Sequence, residues 1–353
     1  MTIKPGAFRF NTDSMKLEIF RGSADYEGSA SMAGIGTLAA GQWEEIQATS
    51  PEVQTGGTRG VIAGGALTPG AAVSSIRYVT ISTTGDSINF GDLQQHSGAS
   101  GLKGVSSRTR GVFMGRVQYP AVYNTMEFIT ISSTGNSADF GDMNFAAGSG
   151  GAGCNATRGI YAGGYHPSYP SATNQINYIT IASTGAGIDF GDLTDAKRGC
   201  DGGSSPTRIL FNGGQTKPAN TYLSYIDYVV TSTLGNCGDF GDLTQARTGQ
   251  AIADNAIREV IATGYNGSAL DTIDYVDMTS LGNANDFGDS TQSRGNCSGT
   301  SSPTRGIFAG GTAPNTNIID YVQIMSTGDA IDFGDLNNTR ESTGTCSNGH
   351  GGL

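Results

Sequence analysis

Charge is what this chain has least of. Only 14% of its 353 residues are Asp, Glu, Lys or Arg, whereas 55 are glycine. That balance excludes long amphipathic helices, which need a charged face and lose stability with each interior glycine. Acids outnumber bases and the net charge is −11, which argues against nucleic acid or an anionic bilayer as a partner. Histidine occurs three times, as His96, His166 and His350, in unlike surroundings. There is no HExxH, no nucleophile elbow and no phosphate-cradling glycine loop ahead of a helix, so the sequence offers no catalytic residue, metal ligand set or cofactor. The five cysteines, Cys154, Cys200, Cys237, Cys297 and Cys346, are odd in number and lack CxxC spacing. Four of them fall in the same Gly/Ser-rich stretch of different repeats, so free buried thiols are expected rather than disulfides. No apolar run is long enough for a membrane span or a secretory signal, and the chain is expected to be made and assembled in a cytosol.

Repetition is what the chain has in abundance. The phrase Asp-Phe-Gly-Asp, or a one-letter variant, ends each of six segments, and its phenylalanines, Phe90, Phe140, Phe190, Phe240, Phe287 and Phe333, are separated by 50, 50, 50, 47 and 46 residues. Such a period belongs to propellers and solenoids. Eleven of the 31 acids sit in that phrase, so the negative charge is part of the repeat and not an acidic tail.

Each module reads as four strands. A Thr-Arg-Gly phrase opens an apolar strand ending in a diglycine, clearest at Thr58 to Gly65, Thr157 to Gly164 and Thr304 to Gly311. A stretch of period two follows, as in Ile176 to Ala182, then a Ser-Thr-Gly turn and the Asp-Phe-Gly-Asp-Leu strand. A Thr-x-Ala-Arg connection, such as Thr244 to Arg247, enters a fourth strand rich in Gly, Ser, Ala and Cys. Four strands make one propeller blade, and the small-residue strand belongs nearest the central channel, where backbones crowd. The first module lacks such a strand, while an extra one occupies Ser342 to His350. The C-terminal strand is therefore expected to complete the first blade and close the ring. The fold class is all-β: a six-bladed propeller over 51–353, four antiparallel strands per blade, preceded by a separate module over 1–50.

The diglycine-ended strand, the alternating Tyr-rich strand, the aromatic ahead of a Thr-x-Ala-Arg turn and the period near 50 resemble the kelch repeat, with Phe where kelch blades usually carry Trp. The near-verbatim Thr-Arg-Gly-φ-φ-Ala-Gly-Gly and Asp-Phe-Gly-Asp-Leu phrases are similar to kelch-like repeat proteins of tailed bacteriophages, particularly those of marine cyanobacteria. The resemblance implies a virion protein, of the tail-fibre or tail-appendage type, made in the host cytoplasm.

Residues Phe8 to Phe20 alternate around an Asn-Thr-Asp-Ser turn and read as a hairpin. Together with the phrase around Trp43 they are similar to short modules of phage tail-fibre proteins, although a 20-residue insert, Gly22 to Gly41, separates the two phrases here. A lone hairpin is marginal in water. Phe8, Phe10, Leu17, Ile19 and Trp43 are accordingly expected to anchor the chain to a symmetry mate in a homo-oligomer or to other virion proteins, the alternative being that the hairpin packs on the propeller.

Between the Thr-Arg-Gly strand and the alternating strand the modules differ most, over Ala66 to Ser75, Arg116 to Thr125, Tyr165 to Gln175, Gln215 to Ser224, Tyr265 to Leu270 and Thr312 to Asn317. Antiparallel order places these loops on one rim, beside the Thr-x-Ala-Arg connections. Variable loops on a uniform scaffold suit a display platform. Tyr119, Tyr123, Tyr165, His166, Tyr169, Tyr222 and Tyr265 are the candidate contacts to a host surface glycan or protein, because Tyr gives amphipathic contact area at low entropic cost. They could equally cover loop backbone or meet a neighbouring subunit.

The recurrent Arg59, Arg110, Arg158, Arg208, Arg258 and Arg305 belong on the opposite rim, where one interblade hydrogen bond or ion pair made six times is expected. Calcium ligation by the Asp pairs is disfavoured by strand alternation, which sends residues three apart to opposite faces. The leading functional reading is attachment; the alternatives are an architectural role as a head decoration, collar or connecting protein, and a glycan-cleaving enzyme, which would need two suitably spaced carboxylates.

Overall fold

A computed structural model of the chain describes residues 7–11, 16–21, 42–45, 58–67, 71–95, 100–118, 121–166 and 172–353. The chain divides into two compact units, Met1–Gln54 and Thr55–Leu353.

In the first unit the alternating segments pair as an antiparallel hairpin, Phe8–Asn11 with Lys16–Arg21. A third strand, Gln42–Glu45, runs antiparallel along Lys16–Arg21 and sets Trp43 opposite Phe20. The hairpin is thus part of a three-stranded sheet and not a lone pair, a third strand that Gln-Trp-Glu-Glu was too short to announce by periodicity. The side chains of Phe8, Phe10, Leu17, Ile19 and Trp43 lie outside the described part of the structure.

The second unit is a six-bladed β-propeller. Blade 1 orders its strands, from the axis outward, as Gly344–Ser347, Arg59–Ala63, Ser75–Thr80 and Ile88–Asp92. The C-terminal strand therefore completes the first blade, with Cys346 opposite Val61. The innermost strands of blades 2 to 6 are Lys103–Ser106, Gly151–Cys154, Asp201–Ser204, Ala251–Asp254 and Ser298–Ser301. They are short and made mostly of small residues because six backbones converge there. A Cβ on Gly104 would lie 2.3 Å from the Thr345 carbonyl oxygen of blade 1, and one on Gly202 2.5 Å from that of Ala152 in blade 3.

Apolar residues fill the joints between blades, one cluster per joint. Phe90, Leu93 and Ile76 of blade 1 meet Phe113, Ile129 and Ile131 of blade 2; at the sixth joint Phe333 and Ile319 meet Ile62, Val79 and Ile81 of blade 1. Each buried Phe of this kind contributes ~1.5–3 kcal/mol. The ring holds by repetition of these contacts, and the last joint has the same construction as the others.

Each Asp-Phe-Gly-Asp strand carries a β-bulge. In blade 2, Met126 pairs with Gly141 but the next residue, Glu127, pairs with Asp139, so Phe140 is the extra residue. The bulge corrects the alternation argument: Asp139 and Asp142 are both exposed, since the extra residue shifts the pleat by one. The phrase needs its glycine for two reasons. Gly141, Gly191, Gly241, Gly288 and Gly334 have φ of 129–152°, and a Cβ on Gly141 would stand 2.4 Å from the carbonyl oxygen of Gly185 in the next blade. The outer edge is also covered. The carbonyl of every repeat phenylalanine accepts a hydrogen bond from the next blade's turn, Gly135 N to Phe90 O at 2.8 Å being one and Gly85 N to Phe333 O at 2.8 Å closing the circle. Among the described residues no helix is long and apolar enough to cross a membrane.

Candidate binding rim and central channel

The recurrent arginines belong to the joints. Each guanidinium lies over the aromatic ring of its own blade's third strand, at 4.3–5.5 Å, from Arg59 on Tyr78 round to Arg305 on Tyr321. That ring in turn meets the repeat phenylalanine edge-on at 6.0–6.2 Å. The Nη1 of each arginine donates to a backbone carbonyl one blade on, at 2.6–3.2 Å: Arg59 to Ile131, Arg110 to Ala182, Arg158 to Thr231, Arg208 to Met278, Arg258 to Ile324 and Arg305 to Ile81. Their interblade acceptors are carbonyls and not the recurrent aspartates. With its charge spread over a ring face and a carbonyl, each guanidinium acts as a fastener.

A second fastener escaped the sequence reading. The last residue of the Thr-x-Ala-Arg connection reaches an acid in the third strand of the next blade: Lys197 to Asp227 at 3.0 Å, Arg247 to Asp274 at 2.6 Å and Arg294 to Asp320 at 2.7 Å, all essentially buried. At the joint of blades 2 and 3 the same positions hold Ala147 and Asn177, and at that of blades 6 and 1 they hold Arg340 and Arg77. Arg340 is there bound by Gly64 O, Ser75 and Asn338; burial lowers its pKa to about 10, and Arg77 pushes in the same direction. The signal was present as residues that change together one module apart, which a reading by blade does not reveal.

The central channel is narrow. On the loop rim six residues, one per blade, adopt left-handed backbone with φ of 53–70°: Gly101, Ser149, Gly199, Gly249, Asn296 and Ser342. Head-to-tail hydrogen bonds link them about the axis, among them Gly101 N to Ser342 O, Ser149 N to Gly101 O and Gly199 N to Ser149 O at 2.6–3.0 Å. Deeper lies a polar cavity of about 50 Å³ that includes Lys103, Asp201, Asp254 and His350 in its wall. Lys103 bridges to Asp201 at 2.9 Å, and Asp254 accepts from Ser204 N, Gly351 N and Ser301 Oγ. Burial raises Asp254 to about 6 against those three donors. His350 donates Nε2–H to Ser106 O at 2.9 Å and accepts Gly352 N at Nδ1, so the tail folds across the mouth. A polar cavity of this size has room for water, whereas organic ligands need on the order of 300 Å³ or more. Among the described residues no cluster of three or more His, Cys, Asp or Glu could hold a metal ion. All five cysteines are free, four of them buried.

The loop rim is different in kind. Short ladders tie each loop to the connection beneath it, Gly148 to Tyr165, Thr248 to Tyr265 and Gly295 to Thr312, which confirms that the two sets of segments share one rim. In blades 2 and 5 the expected loops are instead extended hairpins, Arg110–Gln118 with Ala121–Thr130 and Arg258–Tyr265 with Ala269–Asp277. Of the candidate contacts, Tyr119 and Tyr169 lie outside the described residues. Tyr123 is stacked under Arg116 at 4.3 Å in blade 2, and His166 is half-buried. The other three converge. Tyr222 and Tyr265 form an edge-on pair at 6.3 Å, and Tyr165 stands 5.9 Å from the guanidinium of Arg198, whose electrostatic neighbours include Tyr222.

Sequence reasoning passed over Arg198 because it directly follows a repeated connection and reads as part of it. Its significance comes from the ladder that pairs Lys197–Arg198 with Gln215–Thr216 and brings its Nη2 to 3.1 Å from Gln215 Oε1. The residues that take the place of Arg198 in the other blades are Glu341, Ser100, Gly148, Thr248 and Gly295.

The opposite rim carries exposed apolar side chains in consecutive blades: Leu234 in blade 4 (58% exposed), Ile257 and Leu281 in blade 5 (49% and 54%) and Met325 in blade 6 (53%). Threonines stand at most of the equivalent positions of blades 1 to 3, Thr84, Thr134 and Thr184 among them. No protein-family model matches the chain, and no curated protein matches it.

Proposed function

We propose that this chain is a structural protein of a tailed-phage particle, a tail fibre or tail appendage whose propeller presents its loop rim to the host surface. In this reading the chemistry is binding without turnover, and residues 1–54 join the propeller to other virion proteins in a homo-oligomer. The observation that carries the reading is the contrast between the two kinds of surface. Six joints share a stacked arginine, an edge-on aromatic pair and an apolar cluster, while a single rim changes its loops from blade to blade and gathers tyrosines on it. Uniformity below and variety above is the arrangement of a rigid platform that positions contacts. The kelch-like phrasing of the repeat supplies the phage assignment.

A second reading, architectural, is favoured by the apolar residues Leu234, Ile257, Leu281 and Met325 on the opposite rim, since exposed apolar patches mark subunit contacts. Imaging of intact particles labelled in the loop 165–175 separates the two. Label projecting from the tail periphery is the expected result. Label enclosed at a subunit junction, or spread over the capsid, overturns the attachment reading in favour of the architectural one.

A further inference from the structure

The loop rim of blades 3 to 5 holds an island of positive charge on an acidic chain. Arg198 and Lys217 are close enough for the guanidinium to lower the Lys217 pKa, after the larger effect of burial. Among the described residues neither forms an ion pair. The polar partner of Arg198 is the neutral amide of Gln215, and its Nε has no acceptor. Lys217 bonds the Asn220 side chain, also neutral. Of the two carboxylates nearest to Arg198 in sequence, Asp195 accepts from the Tyr225 hydroxyl at 2.9 Å and Asp201 is bridged to Lys103 at 2.9 Å. The cation that ends the Thr-x-Ala-Arg connection, Lys197 here, is in contrast buried against an aspartate or, as Arg340, against carbonyls.

Around this island stand Tyr165 on one side and the Tyr222–Tyr265 pair on the other. A half-buried guanidinium presents paired N–H donors to a planar anion, and flanking rings offer faces to the C–H groups of a sugar. We propose that Arg198, Lys217, Tyr165, Tyr222 and Tyr265 form a subsite for a carboxylate-bearing sugar residue, a uronic acid of a surface polysaccharide. This deepens the attachment reading and rests on it. A carboxylate completes the charge that the protein leaves uncompensated, whereas a neutral glycan would engage the rings and leave the island as it is.

The test is titration of the purified full chain with oligogalacturonate, with a neutral galactan oligosaccharide as control, alongside host adsorption by particles carrying the same variants. Oligogalacturonate is expected to bind in preference to the neutral probe, and to weaken as salt rises from about 0.05 to about 0.5 M. Arg198→Gln is expected to cost about tenfold or more in affinity, a charge-assisted hydrogen bond being at stake. Arg198→Lys should recover part of that loss, and an unchanged melting temperature in both variants would exclude misfolding as the cause. If the neutral probe binds equally well, or if Arg198→Gln leaves oligogalacturonate affinity unchanged, the acidic-sugar assignment is overturned while the adhesive rim stands. If neither probe binds but Tyr222→Ala with Tyr265→Ala abolishes adsorption, the sugar class is likewise wrong and the rim correct. Full adsorption by the variant lacking Arg198 and all three tyrosines overturns both.

Discussion

At the scale of single residues, the repeated Asp-Phe-Gly-Asp phrase is a backbone requirement before it is a chemical one. Its glycine combines a φ that L side chains avoid with contact against the next blade's turn. Gly141→Ala is therefore expected to destabilise the ring by at least ~2 kcal/mol. The paired control is Gly185→Ala, since a Cβ there meets nothing within 4 Å and should change stability by no more than ~0.5 kcal/mol. Urea midpoints of the two variants decide the matter, and equal midpoints would refute the argument. Phe and Gly were legible in the sequence as a repeat; the bulge at the Phe was not, because it depends on the register with the neighbouring strand of the same blade, which the phrase alone does not reveal.

At the scale of the element, each blade is held to its neighbour by a stacked arginine on one rim and, at three joints, by a buried ion pair near the other. Breaking one member of such a pair leaves an uncompensated charge in the interior. Asp274→Asn alone is expected to cost ~3–5 kcal/mol. The joint of blades 2 and 3 shows the neutral solution, Ala147 with Asn177, whose Oδ1 still accepts from Asn144 N at 3.1 Å. The double variant Arg247→Ala with Asp274→Asn should consequently recover most of the lost stability. Recovery of less than half in a double-mutant cycle would mean that the pair does more than satisfy its own charges. The strands of the ring were readable from alternation, diglycine and turn phrases. The third strand of the N-terminal sheet and the hairpin extensions of blades 2 and 5 were not, since short or variable segments carry no period. Of the residues in the proposed rim site, the tyrosines stood out in the sequence and Arg198 did not, its placement beside them being fixed by a ladder between two loops.

For the whole molecule, the channel is where all six blades meet and where a pH-dependent contribution to stability is expected. Asp254 has its carboxyl raised to about 6 from an ordinary 3.8 by burial, with Asp201 as a further negative neighbour opposed by Lys103. The folded state then holds its proton where the unfolded chain has released it. This contribution is fully present below about pH 4 and is lost as pH rises to and through about 6, on the order of 3 kcal/mol in all. Removing the titrating group by Asp254→Ser should flatten that part of the curve, measured as urea midpoints between pH 4 and 7. An unaltered slope would place the effect in Asp201 or Glu259, both also raised by burial.

The seam in blade 1 has a mechanical direction. Gly60 faces Ser347 and Ala63 faces Gly344, so the chain enters one strand and leaves the other at the same end of the ladder, where Asn348 clasps Arg59 N at 2.8 Å. Tension between residues 58 and 348 opens that ladder as a zipper, one pair at a time, starting at the clasp. Tension between residue 58 and the loop rim never separates those two strands; it is taken up by the sheets and joints of the closed ring. A propeller pulled from its entry strand and gripped at the rim is thus loaded along its strong direction, and the weak one is spared.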